Sequence, residues 1–359
     1  MSVPLPFDLA RMYDVPAAVK RAGMLATLNA LGDWHAQRCA PYRAARETLF
    51  PAGPAGTIEA LPYLPVRLFK SLDLLSVPRE AIVKTLVSSG TTGHTPSRIH
   101  LDRETSVRQG RVLTAIMTAF LGRQRLPMVV ADSAALLRDR TRFNARAAAL
   151  LGFSVLGRDH FHALDELLLL DTEGLDAWLA AHADQPVLLF GFTALVWQHL
   201  VQALRRQGRA LRFPEGSWLL HGGGWKRLAD QQVSHQEFKA AVRETLGITR
   251  VANYYGMVEQ TGTIFMECEQ GHLHSPVFAD VVVRDARTLQ PLGAGQPGVL
   301  QVLSALPLSY PGHSLLTEDL GVLHGEDDCA CGRLGRYFSV LGRMPEAELR
   351  GCSDTRVLP

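Results

Sequence analysis

Four hydroxyl side chains and two glycines fill the six positions Ser88, Ser89, Gly90, Thr91, Thr92 and Gly93, directly after an apolar run ending at Val87. Small residues let backbone amides converge on a phosphate, and hydroxyls donate further hydrogen bonds without adding negative charge. The same composition also describes a solvated Ser/Thr/Gly turn. No lysine closes the segment in the order Gly-x-x-x-x-Gly-Lys-Ser/Thr, so an ordinary Walker loop is not indicated. His94 and Arg98 are the substitute cations at hand.

A second constellation is thiol-rich. Cys268-Glu-Gln-Gly-His-Leu-His274 and Cys329-Ala-Cys331 lie about sixty residues apart. Three thiolates and an imidazole form the soft tetrahedral set that zinc prefers, although the spacing departs from Cys-x2-Cys and buried or free thiols fit it equally well. Such a set leaves no open coordination position, so a metal here would be structural. Cys352 stands near the C-terminus in Glu348-Leu-Arg-Gly-Cys-Ser-Asp354. An incidental tail thiol is the plain reading, but Arg350 would lower a thiol pKa and Gly351 would permit close approach, as a nucleophile requires.

These residues sit in a chain of 359 residues, 47% hydrophobic, with 37 cationic and 35 acidic side chains for a formal charge of +2. That length buries a full core, and near-neutral, dispersed charge gives no field to hold a phosphate backbone, so nucleic acid is not an expected partner. The N-terminus lacks a basic segment followed by a long apolar one, and no apolar run approaches the ~20 residues of a membrane span. Five cysteines, an odd set, fit a reduced cytoplasmic protein better than a disulfide framework. Only five of the cations are lysines, and none follows Lys239.

Residues 1–80 read as helical and irregular, with a helix from Ala17 to Cys39. Then strands (Lys84 to Val87, Pro127 to Ala131, Pro186 to Phe190, Ser217 to Leu220, Thr249 to Tyr254) alternate with helices (Glu104 to Leu121, Ala134 to Leu151, Gly174 to Ala183, Thr193 to Gln207, Ser234 to Leu246). That alternation predicts an α/β fold with a parallel sheet flanked by helices, which places ligands at the carboxyl ends of the strands. From Gly262 onward, strands such as Thr263 to Glu267, Asp280 to Arg284 and Val299 to Leu303 predict a small β subdomain. The expected divisions are a helical region 1–80, an α/β core 81–261, a β subdomain 262–345 and a tail 346–359.

Ser-Ser-Gly-Thr-Thr-Gly at 88–93 resembles the phosphate loop of the adenylate-forming enzymes, the superfamily of acyl-CoA synthetases and luciferases. Gly191-Phe-Thr193, His221-Gly-Gly-Gly-Trp-Lys226, Asn253-Tyr-Tyr-Gly-Met-Val-Glu-Gln260, Leu316-Thr-Glu-Asp319 and Leu341-Gly-Arg343 follow in that group's order. With Met266-Glu-Cys268 and Arg350-Gly-Cys-Ser-Asp354, the chain most resembles the LuxE-type acyl-protein synthetases, which activate fatty acids for a reductase complex.

The resemblance implies roles. Gly222, Gly223, Gly224, Tyr255 and Gly256 would line the nucleotide, Asp319 would accept from the ribose hydroxyls, and Glu259 would hold Mg²⁺. Two departures stand out: Val258 replaces a hydroxyl residue, and the phosphate loop's terminal lysine is missing. Lys226 and Arg343 are therefore expected to face the phosphates or ribose. Phenylacetate-CoA ligase-like relatives carry a similar Cys…His…Cys-x-Cys set, which favours zinc on Cys268, His274, Cys329 and Cys331, with His274 preferred over His272. The expected reaction takes a carboxylic acid, fatty by resemblance, and ATP to acyl-AMP, then to a thioester on Cys352 for a partner acyl reductase. The alternatives are a ligase serving coenzyme A or a carrier protein, and a non-catalytic, zinc-stabilised nucleotide-binding scaffold. His221 would border the acid pocket or satisfy a strand end, and Phe190, Phe192 and Trp197 would line an acyl pocket or form ordinary core. The superfamily's usual C-terminal lid, with its mobile lysine, is expected to be absent, since the sequence runs only to Pro359.

Overall fold

The computed structural model describes residues 3, 5–88, 96–138, 145–225 and 233–344. It divides into two compact units, one built on Arg123–Tyr254 and the other on residues up to Ser88, 96–122 and 255–344.

The described residues form fourteen strands, in chain order β1 Leu64–Pro65, β2 Ile82–Val87, β3 Arg98–Asp102, β4 Leu126–Ser133, β5 Gly157–Leu164, β6 Leu188–Phe192, β7 Trp218–Gly222, β8 Arg250–Gly256, β9 Ile264–Glu267, β10 Leu273–His274, β11 Ala279–Arg284, β12 Pro297–Ser304, β13 Ser314–Glu326 and β14 Arg336–Arg343. In the Arg123–Tyr254 unit, β5, β4, β6, β7 and β8 lie in that order, all parallel. Its central strands β4, β6 and β7 run as near-continuous apolar segments because helices cover them; Val129, Leu189, Leu219 and Val251 pack with Leu200, Phe238, Val242 and Leu246.

The helix His235–Leu246 starts where the chemistry of Ser234 dictates. Ser234 Oγ accepts from Glu237 N at 3.2 Å, Glu237 Oε2 accepts from Ser234 N at 2.8 Å, and Gly247 ends the helix in the left-handed region at φ 72°.

Three features depart from expectation. β5 was not foreseen, because Arg158, Asp159 and His160 are polar and the segment shows no alternation; pairing with β4 makes it a strand. The expected helix from Thr193 to Gln207 holds a π-helical stretch at Val196–Val201 between α-helical turns. Finally, β2 does not join the parallel sheet but forms an antiparallel hairpin with β3.

In the other unit, β11, β12, β13, β14, β10 and β9 form an antiparallel run, with β1 added parallel to β13. Helices Ala17–Arg38, Ala40–Leu49 and Arg103–Leu121 belong to the same unit. The first of these has no capping side chain of its own at Pro16. Asp327, with φ 64°, supplies the cap: its two oxygens accept from Ala17 N at 2.9 and 3.2 Å, and Oδ1 also accepts from Gly335 N at 2.7 Å. Leu334 N donates to Tyr13 O at 2.7 Å, Val277 N to Met12 O at 2.9 Å and Lys20 Nζ to Ser275 O at 3.2 Å, tying the N-terminal segment to the loops around β10 and β14. Among the described residues no helix is long and apolar enough to cross a membrane.

Candidate functional site

β13 and β14 place Asp319 directly opposite Arg343. Tyr255 Oη donates to Asp319 Oδ2 at 2.7 Å, and Arg343 Nε lies 3.5 Å from Oδ1. Burial pushes the Asp319 carboxyl up, and Arg343 and Tyr255 draw it back down. Burial and the facing carboxylate keep the Tyr255 phenol protonated. The result is a carboxylate fixed in place by two donors, suited to accept hydrogen bonds from vicinal hydroxyls.

Glu259 sits on the short helical turn Val258–Gln260, only 4% exposed. Burial raises its pKa, while Ser97 and Arg343 favour its ionised form. A buried carboxylate under such tension gains most from a cation. Gly256, at the end of β8, leaves no slack, since a Cβ there would lie 3.1 Å from Thr263 O.

In the Arg123–Tyr254 unit, Gly222 ends β7 where a side chain would collide with the Tyr254 ring, and Gly223 adopts φ 77°. Gly224 follows in open space. Thr193 Oγ1 donates to Gly222 O at 3.2 Å and lies 2.9 Å from His221 Nδ1; since a carbonyl only accepts, the imidazole is the donor to Thr193. Phe190, Phe192 and Trp197 are buried, with Phe190 stacked on Phe153 at 4.5 Å, so they serve as core. Of the phosphate loop, Ser88 is described: its N donates to Ser97 O at 3.0 Å and its Oγ accepts from Ser97 N at 2.8 Å, closing the loop's base. Ser89, Gly90, Thr91, Thr92, Gly93, Lys226 and Cys352 lie outside the described residues.

The thiol constellation does assemble. Cys268 after β9, His274 on β10, and Cys329 and Cys331 between β13 and β14 bring their ligand atoms within 4.8 Å of one another. Cys268 Sγ lies 3.9 Å from Cys329 Sγ, and Cys331 Sγ lies 3.3 Å from His274 Nε2. A tetrahedron with metal–sulfur bonds of ~2.3 Å has edges of about 3.8 Å, so the set fits zinc in geometry and in softness. His274 joins the cluster, whereas His272 presents Nδ1 to Cys329 Sγ at 3.6 Å from outside the set of four. Burial lowers the His274 pKa to about 4, so the ring is neutral, as a ligand must be. Burial works against ionising Cys331, but the Arg333 N–H and the neighbouring thiols hold it below the usual thiol range.

Sequence reasoning missed Ser97, which faces Glu259, and Asp327, which caps a helix begun 310 residues earlier. Neither lies in a motif, and only tertiary structure gives them a partner.

The sequence profile of the acyl-protein synthetase family LuxE matches residues 6–357. The chain belongs to the LuxE family. Among curated LuxE-type relatives, the long-chain-fatty-acid–luciferin-component ligase of Vibrio harveyi is 27% identical over 153 residues, 42% of this chain and 39% of that protein. The corresponding ligase of Aliivibrio fischeri is 27% identical over 108 residues, 29% of this chain and 28% of its own length. The chain thus matches well under half of either relative. Among solved structures, 2-hydroxyisobutyryl-CoA ligase in an open conformation with its acyl-AMP and CoA superposes with TM-score 0.72 at 18% identity, covering 96% of this chain and 80% of that one. A long-chain-fatty-acid-CoA ligase from Archaeoglobus fulgidus gives TM-score 0.50 at 13% identity over 75% of this chain and 52% of its own. The LuxE chain therefore has the fold of the adenylate-forming ligases.

Proposed function

We propose that the protein activates a carboxylic acid, a fatty acid by family, with ATP, and passes the acyl group to Cys352 as a thioester for delivery to a partner acyl reductase, acting in the cytoplasm. The observation that carries this reading is the Asp319 carboxylate fixed by Tyr255 and Arg343 in the same unit as the buried Glu259.

In the first half-reaction a carboxylate oxygen attacks the α-phosphorus, the bond to the bridging α,β-oxygen breaks, and pyrophosphate leaves with acyl-AMP formed. The nucleophile is already ionised, so no base is required. Asp319 takes the ribose hydroxyls, the glycines at 222–224 and 256 let backbone approach the nucleotide, and Ser88 to Gly93 with Lys226 and Arg343 meet the phosphates. Glu259 would hold Mg²⁺, which supplies neutralisation of the charge that gathers on the phosphates.

In the second half-reaction the Cys352 thiolate attacks the acyl carbon, the acyl–phosphate C–O bond breaks and AMP departs; the thiol proton goes to solvent. Cys268, His274, Cys329 and Cys331 would hold zinc in a structural role, its four positions filled by protein.

Acid-dependent ATP–pyrophosphate exchange across a panel of acids tests the first half; no exchange with any acid would leave a scaffold. Incubation with acid and ATP should add a hydroxylamine-labile acyl mass to wild type and none to Cys352→Ser. Turnover that instead depends on coenzyme A or a carrier protein would reassign the acceptor.

A further inference from the structure

The N-terminal helices grip the turn on which Glu259 rests. Gly312 packs so closely beneath Glu259 that a Cβ there would lie 2.7 Å from the Glu259 carbonyl oxygen. Gln260 Nε2 reinforces the seat, donating to Gly312 O at 2.8 Å and to Val302 O at 3.0 Å. Next to Gly312 stands His313, 3% exposed, whose ring stacks on His35 at 5.0 Å and 20° and whose Nε2 lies 3.3 Å from Tyr42 Oη. His35 is itself fully buried and fixed through Nδ1 to Ser76 Oγ at 2.8 Å. Around the same turn, Trp34 Nε1 donates to Leu308 O at 3.0 Å, Ser76 N to Ser309 O at 2.7 Å, and Ser309 Oγ to His100 O at 2.7 Å. An apolar ring would fill this space without desolvating imidazoles; polar rings here give direction as well as volume.

We infer that His313, clamped by His35 and Tyr42, is a positioning residue for Glu259: it fixes Gly312 and so the backbone that aims the Glu259 carboxylate at the divalent cation of the ATP complex. This rests on the reading of Glu259 as the metal carboxylate. It gives residues 1–80 a task in the reaction, although none of the motif residues lies there.

The test is Mn²⁺ binding to the protein–ATP complex, followed by electron paramagnetic resonance, with the Mg²⁺ dependence of pyrophosphate exchange measured in parallel. His313→Ala should weaken Mn²⁺ binding about tenfold and raise the Mg²⁺ requirement while exchange at saturating Mg²⁺ changes far less; His313→Gln, whose amide reaches the position of Nε2 and keeps an acceptor for Tyr42, should restore part of the affinity. Met24→Ala, a core truncation in the same helix as His35, should lower Tm and leave Mn²⁺ affinity alone. Tyr42→Phe, which removes one hydroxyl, gives a weaker effect of the same sign and serves if His313→Ala does not fold. Affinity within twofold of wild type in the folded His313 or Tyr42 variant, beside a Glu259→Gln that binds Mn²⁺ poorly, overturns the inference alone, as would an equal loss in Met24→Ala. A Glu259→Gln that binds Mn²⁺ normally removes the reading of Glu259 and the inference with it.

Discussion

Asp319 is held by one neutral and one charged donor, so its loss removes both a nucleotide contact and the reason Tyr255 is buried with its hydroxyl satisfied. Charge-assisted hydrogen bonds contribute about 1.5–3 kcal/mol, so Asp319→Ala should raise KM for ATP roughly 10- to 100-fold. Tyr255→Phe, losing a positioning bond of about 1 kcal/mol, should cost about fivefold. A KM for ATP unchanged in Asp319→Ala would move the ribose site elsewhere. A second residue-scale consequence concerns acid. Burial keeps both rings neutral: it lowers the His313 pKa to about 3, helped by Arg46, and holds that of His35 well below its usual value, with His313 and Arg38 pushing the same way. The unfolded chain takes up these protons near pH 6.5, so the stability is complete above that pH and falls by about 1.4 kcal/mol per unit per group below it, down towards pH 3 for His313. Urea midpoints from pH 7.5 to 4.5 should fall more steeply in wild type than in His313→Gln; parallel lines would contradict the assignment.

Elements decide which parts of the site can be read in advance. The thiol–imidazole set stood out because three thiols and an imidazole fall in two short segments, and the glycines because Gly222 and Gly223 each meet a steric demand that other residues would fail. β5 and the hairpin of β2 with β3 were illegible for different reasons: β5 carries no apolar alternation of its own and is made a strand by pairing with β4, while the apolar run of β2 marks a strand without telling which strand it pairs with. The clasp between the metal loops and the segment from Met12 to Lys20 was equally hidden. It predicts a coupling. If the Cys268, His274, Cys329 and Cys331 set holds zinc, a chelator should speed amide exchange at Ala17, Val277 and Leu334 by tenfold or more and leave the β6 amides unchanged. Equal protection with and without chelator would show that these loops do not hold the helix through a metal.

At the scale of the molecule, the motifs in the sequence sufficed for the family and the adenylate-forming fold, because they recur in a fixed order across both units. What the motifs left unread was how residues 1–80 pack against the segment around Leu308 to His313, since part of that packing runs through backbone carbonyls such as Leu308 O and Ser309 O, which any residue type supplies. The acyl acceptor is likewise a question for the whole protein: the acyl-mass experiment with Cys352→Ser distinguishes self-acylation from transfer to a diffusible thiol. One consequence follows from Asp327 reaching back to Ala17. During synthesis the first helix leaves the ribosome with its N-terminus uncapped, and its cap arrives only after 310 more residues. Arg123–Tyr254, continuous in sequence, can close on itself well before then. The growing chain should therefore acquire protease resistance in Arg123–Tyr254 before the helix Ala17–Arg38, which settles only once Asp327 has been made.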